Sequence, residues 1–358
     1  MIARPARFFP LLLLAAAALL LGLWAGLIRL GWQLPLAQVG ASHGPLMVSG
    51  FLGTLISLER VAALRKPWMF AAPLLSGLGW VAGLLLPWVP LGPLLITLGS
   101  VAFVGILAVM LRREPKIFIL SMAVGAVCWL VGNLFWLAGT PIFRLVLWWA
   151  AFLVLTIAGE RLELSRVLRL GPRQMRLFLA AALVFLFGVL LATWLADLGA
   201  RVAGAGMAAL ALWLVRFDIA RRNLRHPAPL TRYIAICLFA GYIWLLASGV
   251  LTLAYGAQQA GGIYDALLHT VFVGFVFSMI FGHAPIILPA LTGLPVAFHP
   301  VFYAHLVLLH ASLILRVAGD LLGQPGARRW GGLINEVAVL LFLAVTIFTV
   351  LKSRRKPA

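Results

Sequence analysis

The segment from Leu267 to Gly293 has the sequence LLHTVFVGFVFSMIFGHAPIILPALTG and decides the fold class of this chain. It contains no Asp, Glu, Lys or Arg, and it is longer than the roughly 20 apolar residues that a helix needs to cross a bilayer. In hydrocarbon a lone segment satisfies its backbone hydrogen bonds only as a helix. The segment therefore predicts a membrane-spanning helix that carries two histidines, His269 and His283.

The rest of the chain has the same apolar character. Of its 358 residues, 64% are hydrophobic and 10% are charged, and the mean hydropathy is +1.09. Soluble domains have roughly 45–50% apolar and about 25% charged residues, so this composition excludes a soluble globular protein. We predict an all-α integral membrane protein, a single polytopic domain over residues 1–358. Its twelve apolar runs, each a predicted transmembrane helix, lie near 8–28, 44–64, 68–88, 91–111, 117–138, 141–160, 176–197, 200–216, 232–255, 264–290, 300–322 and 331–351.

The distribution of basic residues predicts the topology. The formal net charge is +19, and most of the 28 Lys and Arg residues lie in alternate connections between the apolar runs. Because cytoplasmic loops carry the excess of Lys and Arg, both termini are predicted to be cytoplasmic, in a multi-pass protein of a bacterial inner membrane. The lipid bilayer thus accounts for the charge, and no nucleic-acid partner is predicted. The opposite side holds Arg29, Arg144, Arg201, Arg316, Arg328 and Arg329.

A weak similarity recurs every four predicted helices. The second helix ends in Glu59-Arg60, the sixth ends in Glu160-Arg161, and the tenth reaches Gly282-His283. The same three helices carry Phe51-Leu-Gly, Phe152 and Gly274-Phe275. This pattern predicts three pseudo-repeated four-helix units whose second, sixth and tenth helices face a common interior. The Glu-Arg ends could form ion pairs between helices or part of a proton path, and ion pairing is favoured.

The histidines are the candidate functional residues. His226 lies in a basic turn, and the other six lie in or near the second, tenth and eleventh helices. A polar ring inside a membrane usually faces a cavity, a partner or a cofactor, although each one alone could be a packing residue. On the predicted topology, His43 and His269 both lie near the outer surface. Neutral imidazoles from two facing helices are a suitable axial pair for a haem iron.

A second, inner site is also open. His283 follows His269 by 14 residues, which places it about 21 Å further along nearly the same helix face. His310, with His305 close by in the sequence, lies at about the depth of His283. These three rings could hold a metal ion or a second haem, or form a polar network, and we favour the network because nothing fixes a ligand geometry.

Asp265 lies one helical turn before His269. From there its carboxylate could accept the free ring N–H of a ligating histidine and fix the tautomer of that ring. It could equally cap the start of the tenth helix.

Two motifs resemble subunit I of the haem-copper oxidases. SHGPLM, from Ser42 to Met47, resembles the His-Gly-x-x-Met motif that opens the second helix of that subunit. The segment from Leu267 to Gly293 resembles its tenth helix, in which a histidine is followed by a Gly/Phe-rich face and later by Pro-x-x-Thr/Ser-Gly. The resemblance implies a low-spin haem b ligated by His43 and His269.

The resemblance also assigns the pair Arg328-Arg329, between the last two predicted helices. It implies that these guanidinium groups bind the haem propionates, a role that suits their forked geometry. The plainer interpretation of this pair is a solvated turn.

The chain also departs from that family. The position of the family's high-spin haem ligand is Leu267 here, and residues 141–197, where its copper ligands would fall, contain no histidine. The resemblance therefore implies a reduced relative, similar to the NnrS-type membrane haem proteins linked to nitric-oxide tolerance. Electron transfer from a quinol or a periplasmic electron carrier, or nitric-oxide-related haem chemistry, is expected, and oxygen reduction by a terminal oxidase is not.

A second class of function remains open. Twelve spans with both termini inside is a common count for secondary transporters. In a cofactor-free transporter or channel, the histidines of the tenth and eleventh helices would bind protons or metal ions. The threefold repeat argues against this alternative. An assembly factor that carries haem or copper is a third option, and a homo-oligomer is compatible with the sequence.

Overall fold

The computed structural model describes residues 8–64 and 66–354. Within this part of the chain, twelve helices are long and apolar enough to cross a membrane, and no β-strand is present. Arg4, Arg7, Arg65, Arg355 and Lys356, which contribute to the predicted charge asymmetry, lie outside the described residues. In chain order the helices are α1 Phe9–Arg29, α2 Ala37–Leu64, α3 Pro67–Leu85, α4 Leu91–Arg113, α5 Ile117–Leu137, α6 Ile142–Leu168, α7 Pro172–Leu191, α8 Ala196–Phe217, α9 Pro229–Tyr255, α10 Gly261–Thr292, α11 Phe302–Leu321 and α12 Pro325–Lys352.

The predicted number of spans is confirmed, whereas several helix ends differ. α2 begins at Ala37 because a 3-10 turn precedes its first α-helical residue. α6 continues to Leu168 through charged residues, and Arg161 and Leu162 remain buried in this extension. α7 begins at Pro172 and α12 at Pro325, since proline fits the first position of a helix.

The early start of α12 corrects one prediction. Arg328 and Arg329 lie in the first turns of this helix, and not in a turn between two helices.

The chain divides into two compact units. The first unit comprises the residues up to Phe152 together with Ile287–Leu294, and the second comprises Leu153–Ile286 and the residues from Pro295 onwards. In both units, large apolar side chains remain exposed along the spanning helices, as a surface in contact with lipid requires. Examples are Leu13, Leu98, Leu183, Val250 and Ile347.

A buried polar cluster holds three helices of the first unit together. Asn133 Oδ1 in α5 accepts hydrogen bonds from Ser49 Oγ in α2 (3.3 Å) and from Trp149 Nε1 in α6 (3.0 Å). Trp129 Nε1 donates to Ser49 Oγ (3.1 Å), and the Trp129 ring stacks on Phe152. Because a polar group in a dry interior is costly unless it is hydrogen-bonded, this cluster fixes the register of α2 against α5 and α6.

Helices of the second unit approach each other closely through glycine. A Cβ at Gly204 in α8 would lie 2.5 Å from the backbone nitrogen of Leu253 in α9. A Cβ at Gly206 would overlap the backbone of Phe185 in α7. Small residues at helix interfaces allow this backbone approach, which is typical of membrane helix packing.

Candidate functional site

His43 lies in the first unit, where the 3-10 turn of α2 meets its α-helical part. Its Nδ1 lies 2.7 Å from the carbonyl oxygen of Gly22 in α1. A carbonyl oxygen only accepts, so Nδ1 donates, and a neutral ring then has its lone pair on Nε2. Gly22 is required at this contact because a Cβ there would lie 2.5 Å from the sulfur of Met47. The methionine of SHGPLM therefore packs against α1.

His269 lies in α10 in the second unit and has a similar arrangement. Its Nδ1 donates to the carbonyl oxygen of Asp265, one turn earlier in the same helix, at 2.8 Å. Arg316 Nη2, from α11, lies 3.1 Å from Nε2. A guanidinium only donates, so the lone pair of His269 is on Nε2 and receives this hydrogen bond. A metal ion at Nε2 would take the place of Arg316.

One further histidine shares this tautomer. The Nδ1 of His283 donates to the carbonyl oxygen of Met279 at 2.7 Å. His43, His269 and His283 thus present a basic Nε2, and a backbone carbonyl on the other nitrogen orients each ring. This is the form in which a histidine ligates a metal ion, so each of these three donor nitrogens is chemically suited to bind a haem iron.

Three other histidines have the opposite tautomer. In each, Nδ1 accepts a hydrogen bond from an N–H group, so Nε2 carries the proton of the neutral ring. These residues are His226, His299 and His310, with donors from Ala228, Val301 and Trp244. The last ring, His305, has the Tyr233 hydroxyl 3.0 Å from its Nε2, and that contact is compatible with either tautomer.

A cluster of buried charges adjoins His269. Arg316 donates through Nε and Nη2 to the two carboxylate oxygens of Asp265, at 2.7 and 2.8 Å. Arg328 Nε, from α12, lies 3.2 Å from Asp320 Oδ1. The neutral imidazole of His269 thus lies beside two carboxylates and two guanidinium groups. Arg316 and Asp265, nearly buried and joined by two hydrogen bonds, can remain charged in an apolar interior, whereas the Arg328 side chain is 31% exposed.

Asp265 contacts the ring of His269 as the sequence predicts. Its carboxylate Oδ1 lies 3.3 Å from Nδ1, although its backbone oxygen is the nearer acceptor. The alternative of a helix cap is wrong, because α10 begins at Gly261 and its N-cap is Ala260.

Arg328 is the predicted propionate residue whose surroundings are best defined. Besides Asp320, it has Asp265 Oδ2 at 3.8 Å from its Nε. A propionate would share this guanidinium with two carboxylates. Arg329, the next residue of α12, is half-buried.

The inner histidines have separate environments. His305 is buried against the ring of Phe281, and His310 accepts from Trp244. Within residues 8–64 and 66–354, no group of three His, Cys, Asp or Glu side chains is arranged to hold a metal ion. No hydrogen bond among these residues joins two of the three inner rings. His283, His305 and His310 therefore form neither a three-ligand metal centre nor a direct network.

Both predicted ligand histidines are followed by a π-helical segment. Leu46–Gly53 in α2 and Thr270–Phe277 in α10 each have eight residues in this conformation. Each segment places a glycine against an indole ring: Gly53 against Trp129, and Gly274 against Trp244. π-Helical turns are rare overall, and those that occur are often found at functional sites. These two segments therefore make the regions next to His43 and His269 candidate functional sites.

We expect Gly53→Ala to destabilise the protein by about 1–3 kcal/mol, because the added methyl group would overlap the Trp129 ring. Gly105 in α4 is the matched control, since a Cβ there would lie 3.7 Å from the ring of Trp68. Gly105→Ala should be neutral or slightly stabilising because alanine favours helix. Thermal unfolding in detergent measures the difference, and equal melting temperatures for the two variants would contradict the tight contact.

A cavity of about 440 Å³ lies beside His43 in the first unit. Ser42 and Pro45, on either side of His43 in the sequence, form part of its wall, and none of its lining residues is charged. Its size is that of a small-molecule pocket, and its composition suits a flat apolar molecule. Three tryptophans line it: Trp80, Trp88 and Trp136.

Three buried partners in ion pairs are missed by sequence reasoning. Arg316 counts only as one of the basic residues of the outer side, and Asp218 and Asp320 are not considered. Arg161 in α6 donates through Nε (3.1 Å) and Nη2 (2.9 Å) to Asp218, which directly follows α8. A usable signal exists for Arg316: it interrupts an apolar run, with Asp320 one turn later on the same face.

The twelve apolar helices define the class of this molecule: it is a multi-pass α-helical membrane protein whose surroundings are a lipid bilayer. The chain belongs to the family whose model, described as a domain of unknown function (DUF8744), matches residues 7–351. No curated protein and no solved structure matches the chain.

Proposed function

We propose that this protein binds one haem b, with Nε2 of His43 and Nε2 of His269 as axial ligands. The observation that carries the proposal is the common construction around these two histidines. In each, a backbone carbonyl holds Nδ1–H, the lone pair is on Nε2, and a π-helical segment begins within three residues. Bound haem supplies reversible one-electron transfer, and two neutral imidazoles are a low-spin ligand pair.

The proposed architecture is a reduced form of haem-copper oxidase subunit I, in three pseudo-repeated four-helix units, as in NnrS-type proteins. The burial of the spans supports this proposal. The most buried spans are α6, α2 and α10. In an apolar stretch of 18 residues, 78% of the α6 residues are buried, and 61% of those in α2 and in α10; the other spans have 56% or less. These are the three helices that the sequence similarity relates. Since Leu267 replaces the high-spin ligand, electron transfer or nitric-oxide-related chemistry is favoured over oxygen reduction.

The protein's own residues have distinct roles in this proposal. The carbonyl of Asp265 fixes the tautomer of His269, and Arg316 protects Nε2 while no ligand is bound. Arg328 and Arg329 are the proposed partners of the propionates. The salt bridge of Arg328 with Asp320 holds its guanidinium at this place beforehand.

The membrane orientation and the electron donor complete the proposal. The excess of basic residues in alternate connections supports cytoplasmic termini, in a bacterial inner membrane, with His43 and His269 near the outer face. A quinol is favoured over a periplasmic carrier as donor. Its support is the apolar, tryptophan-lined cavity beside His43.

An optical spectrum of the detergent-purified protein tests the proposal. Oxidised and dithionite-reduced spectra should have the sharp bands of a low-spin b-type haem, and pyridine extraction should give about one haem per chain. A colourless protein, even when haem is supplied during expression, would contradict it.

The second candidate is a cofactor-free secondary transporter or channel. A specific observation favours it: His283 Nε2, His305 Nδ1 and His310 Nε2 are buried and have no hydrogen-bond partner among the described residues. Such nitrogens could exchange protons along a path through α10 and α11. Proton-flux assays in vesicles would decide for this candidate if the protein is colourless.

A further inference from the structure

A second cavity, of about 620 Å³, lies in the second unit at the end of α8. Its lining includes four exposed arginines. Within the part of the chain that the structure describes, none of the four lies within ion-pair distance of a carboxylate. The cavity is therefore an uncompensated basic site. The four residues are Arg216, Arg221, Arg222 and Arg225.

The acidic residue in the lining, Asp218, does not offset these charges. Its carboxylate already accepts hydrogen bonds from both arms of Arg161, from Ser165 Oγ (3.1 Å) and from the backbone N–H of Ala220 (2.7 Å). Its side chain has no exposed surface. The negative charge of Asp218 is thus neutralised by Arg161, and the four arginines need an anion from elsewhere.

The backbone around the cavity is fixed. The N–H of Ile219 donates to Ser165 Oγ (3.2 Å), which ties the connection after α8 to the end of α6. Arg169 has φ +49°, a left-handed conformation that non-glycine residues rarely adopt. This turn follows Leu168 directly, so that Leu168 and Leu170, on its two sides, both line the cavity. Such costly conformations persist where the surrounding structure holds them.

The remaining wall is apolar. The guanidinium carbon of Arg216 lies 5.1 Å from the centre of the Phe217 ring, so part of this wall also supports an arginine. Guanidinium groups bind phosphate oxygens through paired hydrogen bonds. A ligand that satisfies the whole cavity is therefore an anionic phosphate with an apolar portion. Besides Leu168 and Leu170, the apolar wall consists of Phe217, Leu224 and Phe239.

The position of the cavity relative to the spans favours a lipid. α8 ends at Phe217 and α9 begins at Pro229, so the arginines lie at the ends of two membrane-spanning helices. Lipid head groups occupy this level of a bilayer, and basic pockets between helices there bind anionic head groups. A free phosphate ion would leave the apolar wall uncovered.

We propose that this cavity binds the phosphate head group and the upper acyl region of one anionic phospholipid. The site is independent of the haem site and of its chemistry. A bound lipid would be held by the arginines of this one cavity, and would not belong to the diffuse layer of lipids that any basic surface attracts.

Native mass spectrometry of the full chain in detergent, titrated with phosphatidylglycerol, tests the proposal. The triple variant Arg221→Gln/Arg222→Gln/Arg225→Gln should bind this lipid about a hundredfold more weakly, because it loses the charge-assisted hydrogen bonds of three guanidinium groups to the phosphate. The matched control Arg112→Gln/Arg113→Gln/Lys116→Gln removes the same charge from an exposed connection of the first unit and should bind like the parent.

A wall variant separates the lipid from a soluble phosphate. Leu224→Asn keeps all four arginines, and should weaken phosphatidylglycerol binding while glycerol phosphate binding stays as weak as in the parent. Equal losses in the two triple variants would show diffuse attraction and refute the site. Glycerol phosphate binding as tight as that of phosphatidylglycerol would overturn the lipid assignment. If the triple variant does not fold, unchanged lipid binding by Leu224→Asn overturns the proposal.

Discussion

Replacing His43 or His269 by alanine should reduce the haem content of the purified protein from about one per chain to near zero. Each residue supplies a neutral imidazole whose Nε2 is made basic and oriented by a backbone carbonyl on Nδ1. The measurement is the pyridine haemochrome of each variant, normalised to protein. Any haem that remains should lack the low-spin bands of the parent.

The other histidines provide controls of matched chemistry. His226→Ala and His299→Ala remove exposed rings, and His310→Ala removes a more buried ring in α11. In all three parent rings Nδ1 accepts an N–H, so Nε2 carries the proton and is not a ligand in that form. These variants should keep the full haem content.

His283 is the alternative haem ligand that most needs to be excluded, because it shares the tautomer of the two proposed ligands. His283→Ala should leave the haem spectrum unchanged. Loss of haem in His283→Ala, together with full haem in His43→Ala, would reassign one axial ligand to the inner ring. A full haem content in both His43→Ala and His269→Ala would refute the proposed haem site.

The spans were predictable because hydropathy alone defines them, while their ends depend on features that hydropathy does not include. The charged residues after Ile157 resemble a turn, yet α6 continues through them. Leu162 and Ser165 are buried, and so is Arg161, whose charge is paired with Asp218. The same helix then ends at Leu168, and the next residue, Arg169, has a left-handed conformation that no pattern of apolar residues predicts.

The site was predictable where its contacts are local in sequence. Asp265 and His269 are one helical turn apart, so their contact follows from helix geometry. The contacts of Arg316 with these two residues join α11 to α10, and a single sequence contains no direct signal of that pairing. The carbonyl oxygen that accepts the hydrogen bond of His43 belongs to Gly22 in α1, and this contact was equally unpredictable from the sequence.

The π-helical segments were also beyond sequence reasoning. In both, one position admits only glycine, because an indole ring from another helix lies against it. The conformation thus depends on the packing of that other helix, and local propensity does not predict it. The sequence shows only that each segment follows a histidine within three residues and contains a Gly-Phe pair.

The second large effect is expected at the buried pair of Arg161 and Asp218. Asp218→Asn should reduce the free energy of unfolding by about 3–5 kcal/mol, because it leaves the Arg161 charge in the interior without its carboxylate. Both side chains are almost fully buried, at 4% and 0% exposure, so water cannot replace the lost partner. Unfolding by SDS in mixed micelles gives the free energy difference.

The size of this effect depends on burial, and two further variants isolate that cause. Glu163→Gln breaks an exposed pair with Arg166 in the same helix, and it should cost at most about 1 kcal/mol. The double variant Arg161→Met/Asp218→Leu removes both charges and should recover most of the stability, since a well-packed apolar pair often matches a buried ion pair. If Asp218→Asn lowers the free energy of unfolding no more than Glu163→Gln does, the pair of Arg161 and Asp218 is not desolvated.

The double variant has a second possible outcome. If it is as unstable as Asp218→Asn, the loss of stability comes from the other hydrogen bonds of Asp218, to Ser165 and Ala220. The carboxylate would then stabilise the wall of the basic cavity more than it neutralises Arg161.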